Sequence, residues 1–290
     1  MTGSTLPGKD EAPGALSPSL TARILTYLDV RRGPVGRATL AALIAAYVRR
    51  VPWESAFRIT RKHGATSVAI AARRPVEFWA DALERGGGGT CFESNYAFFA
   101  LLRALGFDGY LTVNDMGDTV GCHTAIVVLL GETRYLVDVG LPLHCPLALD
   151  ATHTTCSRGP FHTYSARPDG AGSYVIERTR HPKRYAFTLR DAPVADADYF
   201  AASSADYGER GLFLDRVIVT RVVGDRVFRF NSGERPYRLE AFTKTGQRED
   251  LALDAEGLAT TLGDPLRWMP VSLRVRWPRL TPSRRSLPQR

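Results

Sequence analysis

Arg85-Gly86-Gly87-Gly88-Gly89-Thr90-Cys91-Phe92-Glu93-Ser94-Asn95 is the stretch on which the fold turns. Four consecutive glycines interrupt any helix, because each surrenders more chain entropy than another residue would. Thr90-Cys91-Phe92-Glu93 has the S/T-x-x-E form of a capping box, so a helix is expected to start here with Cys91 as its first residue. Phe92, Tyr96, Phe99 and Leu102 recur at helical spacing as its buried stripe, and Gly106 followed by Phe107 suits its end. A thiol at a helix start feels the positive end of the macrodipole, which favours the thiolate. The glycines ahead of it allow close approach of a ligand to the backbone, and free amides at the helix start can face a developing oxyanion. Cys91 is therefore a candidate nucleophile, against the alternative of a small buried hydrophobe.

Upstream, Leu40, Leu43, Ile44, Tyr47 and Val48 follow the helical period. A further helix is expected from Pro75, with Val76, Trp79, Ala80 and Leu83 on one stripe and a stop at Gly86. Downstream the texture changes to strands: Tyr110 to Val113, Cys122 to Leu130, Tyr135 to Val139, Val217 to Val223 and Arg226 to Phe230. A weaker helical pattern covers Leu251 to Leu262. The chain thus reads as an α+β protein: helices, then antiparallel strands, then a mixed α/β portion, without internal repeats. The expected divisions are a flexible 1–20, a helical 21–108 carrying the nucleophile, a β-rich 109–200, an α/β lid over 201–266 and a basic tail over 267–290.

A cysteine nucleophile needs a base, and the best pair is His123 with Asp138. Gly131-Glu132 suits a type II′ turn that pairs Leu130 with Thr133 and hence Ala125 with Asp138. Side chains alternate along a strand, so His123 lies on the face of Ala125, diagonal to Asp138. Asp138 stands between Leu136-Val137 and Val139, where an unpaired carboxylate would cost several kcal/mol. It needs a partner, and His123 is in reach. A metal site is the competing reading, since Cys122, His123, His144, Cys145, His153, Cys156 and His162 crowd into 41 residues. No CxxC pair appears, however, and a zinc ion would consume His123.

With these residues in hand the chain resembles the arylamine N-acetyltransferases. Arg85 to Asn95 looks like their arginine-glycine-glycine, cysteine-phenylalanine-glutamate, asparagine signature, Tyr135 to Gly140 (YLVDVG) is similar to their aspartate motif, and His123 stands where their histidine does. Val51-Pro52-Trp53-Glu54-Ser55 is similar to their valine-proline-phenylalanine-glutamate-asparagine segment, so the resemblance spans roughly residues 20–265. It implies a helical domain with the cysteine, a central antiparallel β-barrel with histidine and aspartate, and a C-terminal α/β lid on a cysteine-protease-like core. It also implies ping-pong transfer of an acetyl group from acetyl-CoA, as co-substrate and without a resident cofactor, to an arylamine or related amine. Cys91, His123 and Asp138 would be catalytic, and Trp53, Phe92, Gly88, Gly89 and Gly140 would contact substrate. Departures are two residues (Gly89, Thr90) between the glycine run and Cys91 where the family usually has one, Ser94 for the usual leucine, Ser55 for asparagine, Cys122 directly before His123, and Val139-Gly140-Leu141-Pro142 for valine-glycine-phenylalanine-glycine. They leave the triad and alter the pocket. The resemblance also covers amide synthases with the same triad; a cysteine hydrolase differs only in admitting water to the acyl-enzyme, and a ligand-binding descendant without activity would keep the fold.

The net charge of +8 would suggest nucleic acid or an anionic membrane if it were spread over the chain. Instead seven arginines and no acid lie between Arg267 and Arg290, and residues 1–266 hold 31 basic against 30 acidic side chains. The basicity belongs to the tail, read as a flexible arm or an anion-binding one. Neither a nucleic acid nor a membrane partner is expected, and the sequence leaves the oligomeric state open. No apolar run reaches the roughly 20 residues of a membrane span, and residues 1–20 lack a signal-peptide pattern. Four cysteines then read as free thiols of a cytoplasmic protein.

Overall fold

The computed structural model describes residues 14–179 and 184–252. Its helical layer comprises α1 (Pro18–Leu28), α2 (Arg37–Arg50), α3 (Ala56–Gly64), α4 (Val68–Ala71), α5 (Pro75–Arg85) and α6 (Cys91–Ala104), with a two-residue strand β1 (Trp53–Glu54) between α2 and α3. The α2 stripe is as its spacing demands, with Leu40, Leu43, Ile44, Tyr47 and Val48 all buried. Helix α5 starts at Pro75 and ends against Gly86 in the left-handed conformation (φ 66°), but its buried face differs from the one expected. Phe78, Trp79 and Ala82 are inside while Val76 is exposed. The Trp79 indole N–H reaches the Ala97 carbonyl of α6 at 2.9 Å, and Phe78 packs behind the glycine run. Packing with α6 has rotated the stripe by one residue.

Eight strands follow: β2 (Asp108–Met116), β3 (Thr119–Leu130), β4 (Thr133–Val137), β5 (Leu147–Leu149), β6 (Thr155–Arg158), β7 (Thr163–Pro168), β8 (Ser173–Arg178) and β9 (Tyr185–Arg190). They form one antiparallel sheet in the order β5-β4-β3-β2-β9-β8-β7-β6, and its outer strands β5 and β6 approach each other, so the sheet is a nearly closed barrel. Helix α7 (Asp196–Ala205) leads to β10 (Ile218–Val223), β11 (Arg226–Asn231), β12 (Arg238–Thr243) and β13 (Arg248–Ala252). These four make an antiparallel sheet that β1 completes by pairing with β10. The helix expected over Leu251 to Leu262 finds no support where it can be compared: Leu251 and Ala252 belong to β13, paired with Leu239 and Arg238, and the rest lies outside the described residues.

Strand β3 is the wall between two cores, and its alternation decides what faces what. Ile126 and Val128 pack with Phe98, Leu101 and Leu102 of α6, whereas Ala125 and Val127 point into the barrel with Leu136, Ile176 and Phe187. Helix α6 is therefore enclosed on nearly every side, with every residue from Cys91 to Phe98 buried. Each fully buried Leu, Ile or Phe contributes roughly 1.5–3 kcal/mol by leaving water. The start of α6 is consequently a rigid place for a reactive group.

Candidate active site

Cys91 is the first residue of α6, as the capping pattern requires. Glu93 accepts the Thr90 N–H at 3.4 Å, and the Ser94 N–H returns to the Thr90 carbonyl at 3.0 Å. The loop ahead of Cys91 is gripped by buried side chains. Glu54 accepts the Gly88 N–H at 3.1 Å, Arg73 donates to the Gly88 carbonyl at 2.6 Å, and Ser94 Oγ donates to the Gly89 carbonyl at 3.1 Å. Gly88 runs so close to β1 that a Cβ there would fall 1.8 Å from the Pro52 carbonyl oxygen.

Arg73 is the hub beneath this loop, donating to Glu93 at 2.9 Å and to Asp81 at 3.1 Å as well. Tyr207 donates its hydroxyl to the same Glu93 carboxylate. Burial alone would raise the Glu93 carboxyl, but the Arg73 charge and the bonds from Arg73 and Tyr207 hold it below its ordinary range. Burial dominates at Glu54 and pushes it up. The arginine that clamps the glycines is therefore not Arg85 of the quoted signature, which is half-exposed at the end of α5 and pairs with Asp81 at 3.0 Å.

On the barrel side, the β3–β4 hairpin adopts the expected register, Leu130 opposite Thr133 through Ile126 opposite Val137, with Gly131 at φ 60°. Asp138 follows one residue past the last pair. It shares the barrel-facing side with Leu136, as His123 does with Ala125. The consequence is the hydrogen bond between His123 Nε2 and Asp138 Oδ2 at 2.7 Å, with both side chains buried. The Phe187 ring meets the imidazole at a tilt, 4.5 Å between ring centroids. Burial alone would lower the His123 pKa, but the Asp138 charge and hydrogen bond, together with a hydrogen bond and charge from Cys91, push it up to about 10. The imidazolium is thus the favoured form, held between a carboxylate and a sulfur. With Nε2 committed to Asp138, Nδ1 is the nitrogen left for Cys91. The Cys91 Sγ also lies 3.8 Å from the Cys122 carbonyl oxygen.

The second Asp138 oxygen is saturated. Oδ1 accepts from Asn95 Nδ2 at 3.0 Å and from the amides of Gly140 and Leu141 at 2.8 Å each. Asn95, one helical turn beyond Cys91, also donates to the Thr124 carbonyl at 2.7 Å and accepts the Val139 N–H at 3.0 Å. Thr124 donates its hydroxyl to the Cys91 carbonyl at 2.9 Å, and the Tyr199 hydroxyl lies 2.8 Å from the Phe92 carbonyl and 3.0 Å from Thr124 Oγ1. One network therefore ties α6, β3, the turn after β4 and α7 together around the three candidate residues.

Of the residues expected to contact substrate, Gly140 abuts Cys91 most closely: a Cβ on it would come 2.4 Å from Cys91 Cα and 2.7 Å from Cys91 Cβ. Gly88 and Gly89 are buried under the loop, where a Cβ on Gly89 would meet Glu93 and Phe78 at 2.9 Å. Phe92 is inside the core, its ring 5.8 Å from that of Tyr199. Trp53 is partly buried, bridged to Gly89 and met edge-on by Phe213 at 5.1 Å. The sequence reading missed Arg73, Thr124, Tyr199 and Tyr207. Asn95 carried a usable signal, since position i+4 from Cys91 shares its helix face. Tyr199 and Tyr207 lie more than 100 residues from Cys91 and carried none. Among the described residues no three His, Cys, Asp or Glu side chains converge as a metal-ligand set, and none of the helices is long and apolar enough to cross a membrane.

Comparison with known proteins places this geometry. None of the curated protein sequences matches the chain. Solved structures do. The arylamine N-acetyltransferase of Mycobacterium smegmatis superposes with a TM-score of 0.72 at 20% identity, covering 87% of this chain and 93% of that one. The enzyme from Mycobacterium abscessus gives 0.69 at 23% identity (84% and 88% covered), and that of Mycobacterium marinum in complex with CoA gives 0.70 at 19% (85% and 92%). These likenesses establish the shared fold of helices and antiparallel barrel. The N-acetyltransferase family model matches residues 38–262, most of the chain and all of the site, so this protein belongs to the arylamine N-acetyltransferase family of acetyl-transferring enzymes.

Proposed function

We propose that this enzyme moves an acetyl group from acetyl-CoA to an arylamine or related amine through a thioester on Cys91, with His123 as general acid and base and Asp138 as its orienter. The observation that carries the reading is the buried 2.7 Å bond from His123 Nε2 to Asp138, which leaves Nδ1 for a cysteine standing at a helix start. Cys91 Sγ, as thiolate, attacks the acetyl carbonyl carbon. The first amides of a helix have no intrahelical acceptor and carry its positive dipole end, so the α6 start is suited to the developing oxyanion. The carbon–sulfur bond to CoA then breaks and the His123 imidazolium gives its proton to the departing sulfur. Neutral His123 takes a proton from the amine as its nitrogen attacks the thioester, and Cys91 leaves as thiolate again. His123 gives one proton to the departing CoA sulfur and regains one from the amine, so no outside acid or base is required.

The expected kinetics are ping-pong, with parallel double-reciprocal lines, because one sulfur must be acylated and vacated before the acceptor reacts. Incubation with acetyl-CoA followed by peptide mass mapping should place an acetyl adduct on Cys91, discharged by an aromatic amine or hydrazine. An adduct discharged by water as fast as by amine would make the protein a hydrolase. Absence of any adduct on Cys91 would refute the thioester mechanism.

A further inference from the structure

Cys122 is a second thiol at the site, and the proposed acyl transfer leaves it unused. Strands β3 and β4 pair only as far as Ile126 opposite Val137, so from Cys122 to Thr124 that edge of β3 is open to the start of α6. There the Thr124 carbonyl accepts from Asn95 at 2.7 Å, and the Cys122 carbonyl, two residues back along the same edge, meets Cys91 Sγ at 3.8 Å. Alternation puts the His123 ring on the barrel side of β3 and Cys122 on the other, together with Thr124, whose hydroxyl donates to the Cys91 carbonyl at 2.9 Å. The Cys122 side chain therefore leaves the strand on the face that meets the Cys91 backbone. A carbonyl oxygen stands about 2.4 Å from its own Cα, which puts Cys91 Sγ within about 6 Å of the Cys122 Cα.

Little holds the Cys122 sulfur where it is. Its Sγ donates to the Thr119 carbonyl at 3.3 Å, and a thiol is a weak donor. The residue is half-buried at the end of the β2–β3 hairpin, where Gly117 and Gly121 are left-handed (φ 61° and 67°), the register breaks between Asn114 and Met116, and Thr119 and Val120 are exposed. A segment with so few buried contacts shifts at low cost. Electrostatics separates the two sulfurs by role. The His123 imidazolium favours the Cys91 thiolate, the form that hydroperoxides attack. Burial raises the Cys122 pKa and the Cys91 charge raises it further, so Cys122 stays a thiol until Cys91 has lost its charge.

We infer that Cys91 and Cys122 close into a reversible disulfide when a hydroperoxide oxidises Cys91, with Cys122 as the resolving thiol that spares the nucleophile from irreversible oxidation. This rests on Cys91 being the thiolate of the proposed mechanism. The thiolate attacks one oxygen of hydrogen peroxide, the O–O bond breaks, and the departing hydroxide takes the His123 proton and leaves as water. The Cys122 sulfur then attacks the sulfur of the Cys91 sulfenic acid, the S–O bond breaks, and hydroxide leaves with the Cys122 proton as a second water. The sulfur pair has lost two electrons and the peroxide has gained them; an external dithiol reverses the change. A disulfide holds its Cα atoms about 4.4–6.8 Å apart, so closure asks for a turn of the Cys122 side chain away from Thr119 and a local approach of the hairpin end.

The test applies excess hydrogen peroxide and then dithiothreitol to the full chain and to Cys122→Ser and Cys122→Ala, with kcat/KM and peptide mass mapping after each step. Each protein is read against its own untreated activity, so any effect of the substitution on turnover cancels, and melting temperatures check folding. In the wild type a Cys91–Cys122 cross-linked peptide should appear, and dithiothreitol should restore most of the activity. In the variants Cys91 should run on to sulfinic acid, which dithiothreitol does not reduce, and the recovered fraction should be about tenfold lower. Equal recovery in wild type and variants, or a cross-link from Cys91 to Cys145 or Cys156 instead, would overturn the inference and leave the thioester mechanism standing. A Cys91 that takes neither an acetyl group from acetyl-CoA nor oxygen from peroxide would overturn the mechanism on which the inference rests.

Discussion

Gly140→Ala should disable the enzyme with little change to its secondary structure. The backbone at Gly140 is not in the left-handed region, so alanine is conformationally allowed and the whole effect is contact. The added methyl would lie 2.4 Å from Cys91 Cα, 2.7 Å from Cys91 Cβ and 3.0 Å from Asn95 Nδ2, against an optimum of about 3.5–4.0 Å between carbons. Relief requires the turn after β4 and the start of α6 to part by about 1 Å. Neither yields freely, because Asn95 and the amides of Gly140 and Leu141 all bind Asp138 Oδ1. Overpacking of this kind costs about 1–3 kcal/mol of stability. A 1 Å displacement between nucleophile and base can cost about a hundredfold in rate. The measurements are kcat/KM for acetyl-CoA, the rate of Cys91 alkylation by iodoacetamide and thermal unfolding. Gly64→Ala is the control: nothing lies within 4 Å of its Cβ at the exposed end of α3, and helix propensity makes it neutral or slightly stabilising. If Gly140→Ala kept kcat/KM within about twofold of the wild type, the close packing of the turn against Cys91 would have no catalytic meaning.

Asp138→Asn should lower kcat by about a thousandfold or more: three N–H donors hold the Oδ1 position, so the amide oxygen would settle there and its NH2 would face His123 Nε2, forcing the proton onto Nδ1 where a base is needed; retained activity would remove Asp138 from the mechanism. The raised His123 pKa means that the folded state binds its proton more tightly than the unfolded chain, so this contribution to stability is full below about pH 6.5 and is lost as pH rises towards about 10. Unfolding followed against pH should show that loss, and Cys91→Ala should move the His123 titration, read by NMR, to lower pH because the sulfur's part of the shift is gone. Arg73→Met should destabilise the protein by about 3–5 kcal/mol, seen as a large fall in melting temperature, since the fully buried Glu93 would lose its cationic partner while Asp81 would keep only Arg85. Cys91→Ser should fold like the wild type and neither form the acyl adduct nor turn over, because a serine hydroxyl lacks the thiol's accessible anion.

What the sequence determined by itself were the features set within a few residues of one another. The capping pattern Thr90 to Glu93 fixed where α6 starts and so placed Cys91 at its first position. The two-residue turn at Gly131-Glu132 fixed the β3–β4 register, and the strict alternation of a strand then brought His123 and Asp138 to one face. Both are local rules of backbone geometry, readable without knowing what packs where. Tertiary structure decided what depends on partners distant in the chain. The α5 stripe turned towards Phe78 because α6 lies there, and Leu251-Ala252 became strand because β12 offers an edge to pair with. Arg73 and not Arg85 clamps the glycine loop, since that choice depends on which guanidinium reaches the buried Glu93, Asp81 and Gly88 carbonyl at once. Tyr199 and Tyr207 reach the start of α6 from beyond the barrel, through contacts that no periodicity encodes. Local hydrogen bonding names the candidate residues, and only long-range burial of polar groups, each needing a partner, selects the side chains that hold them still.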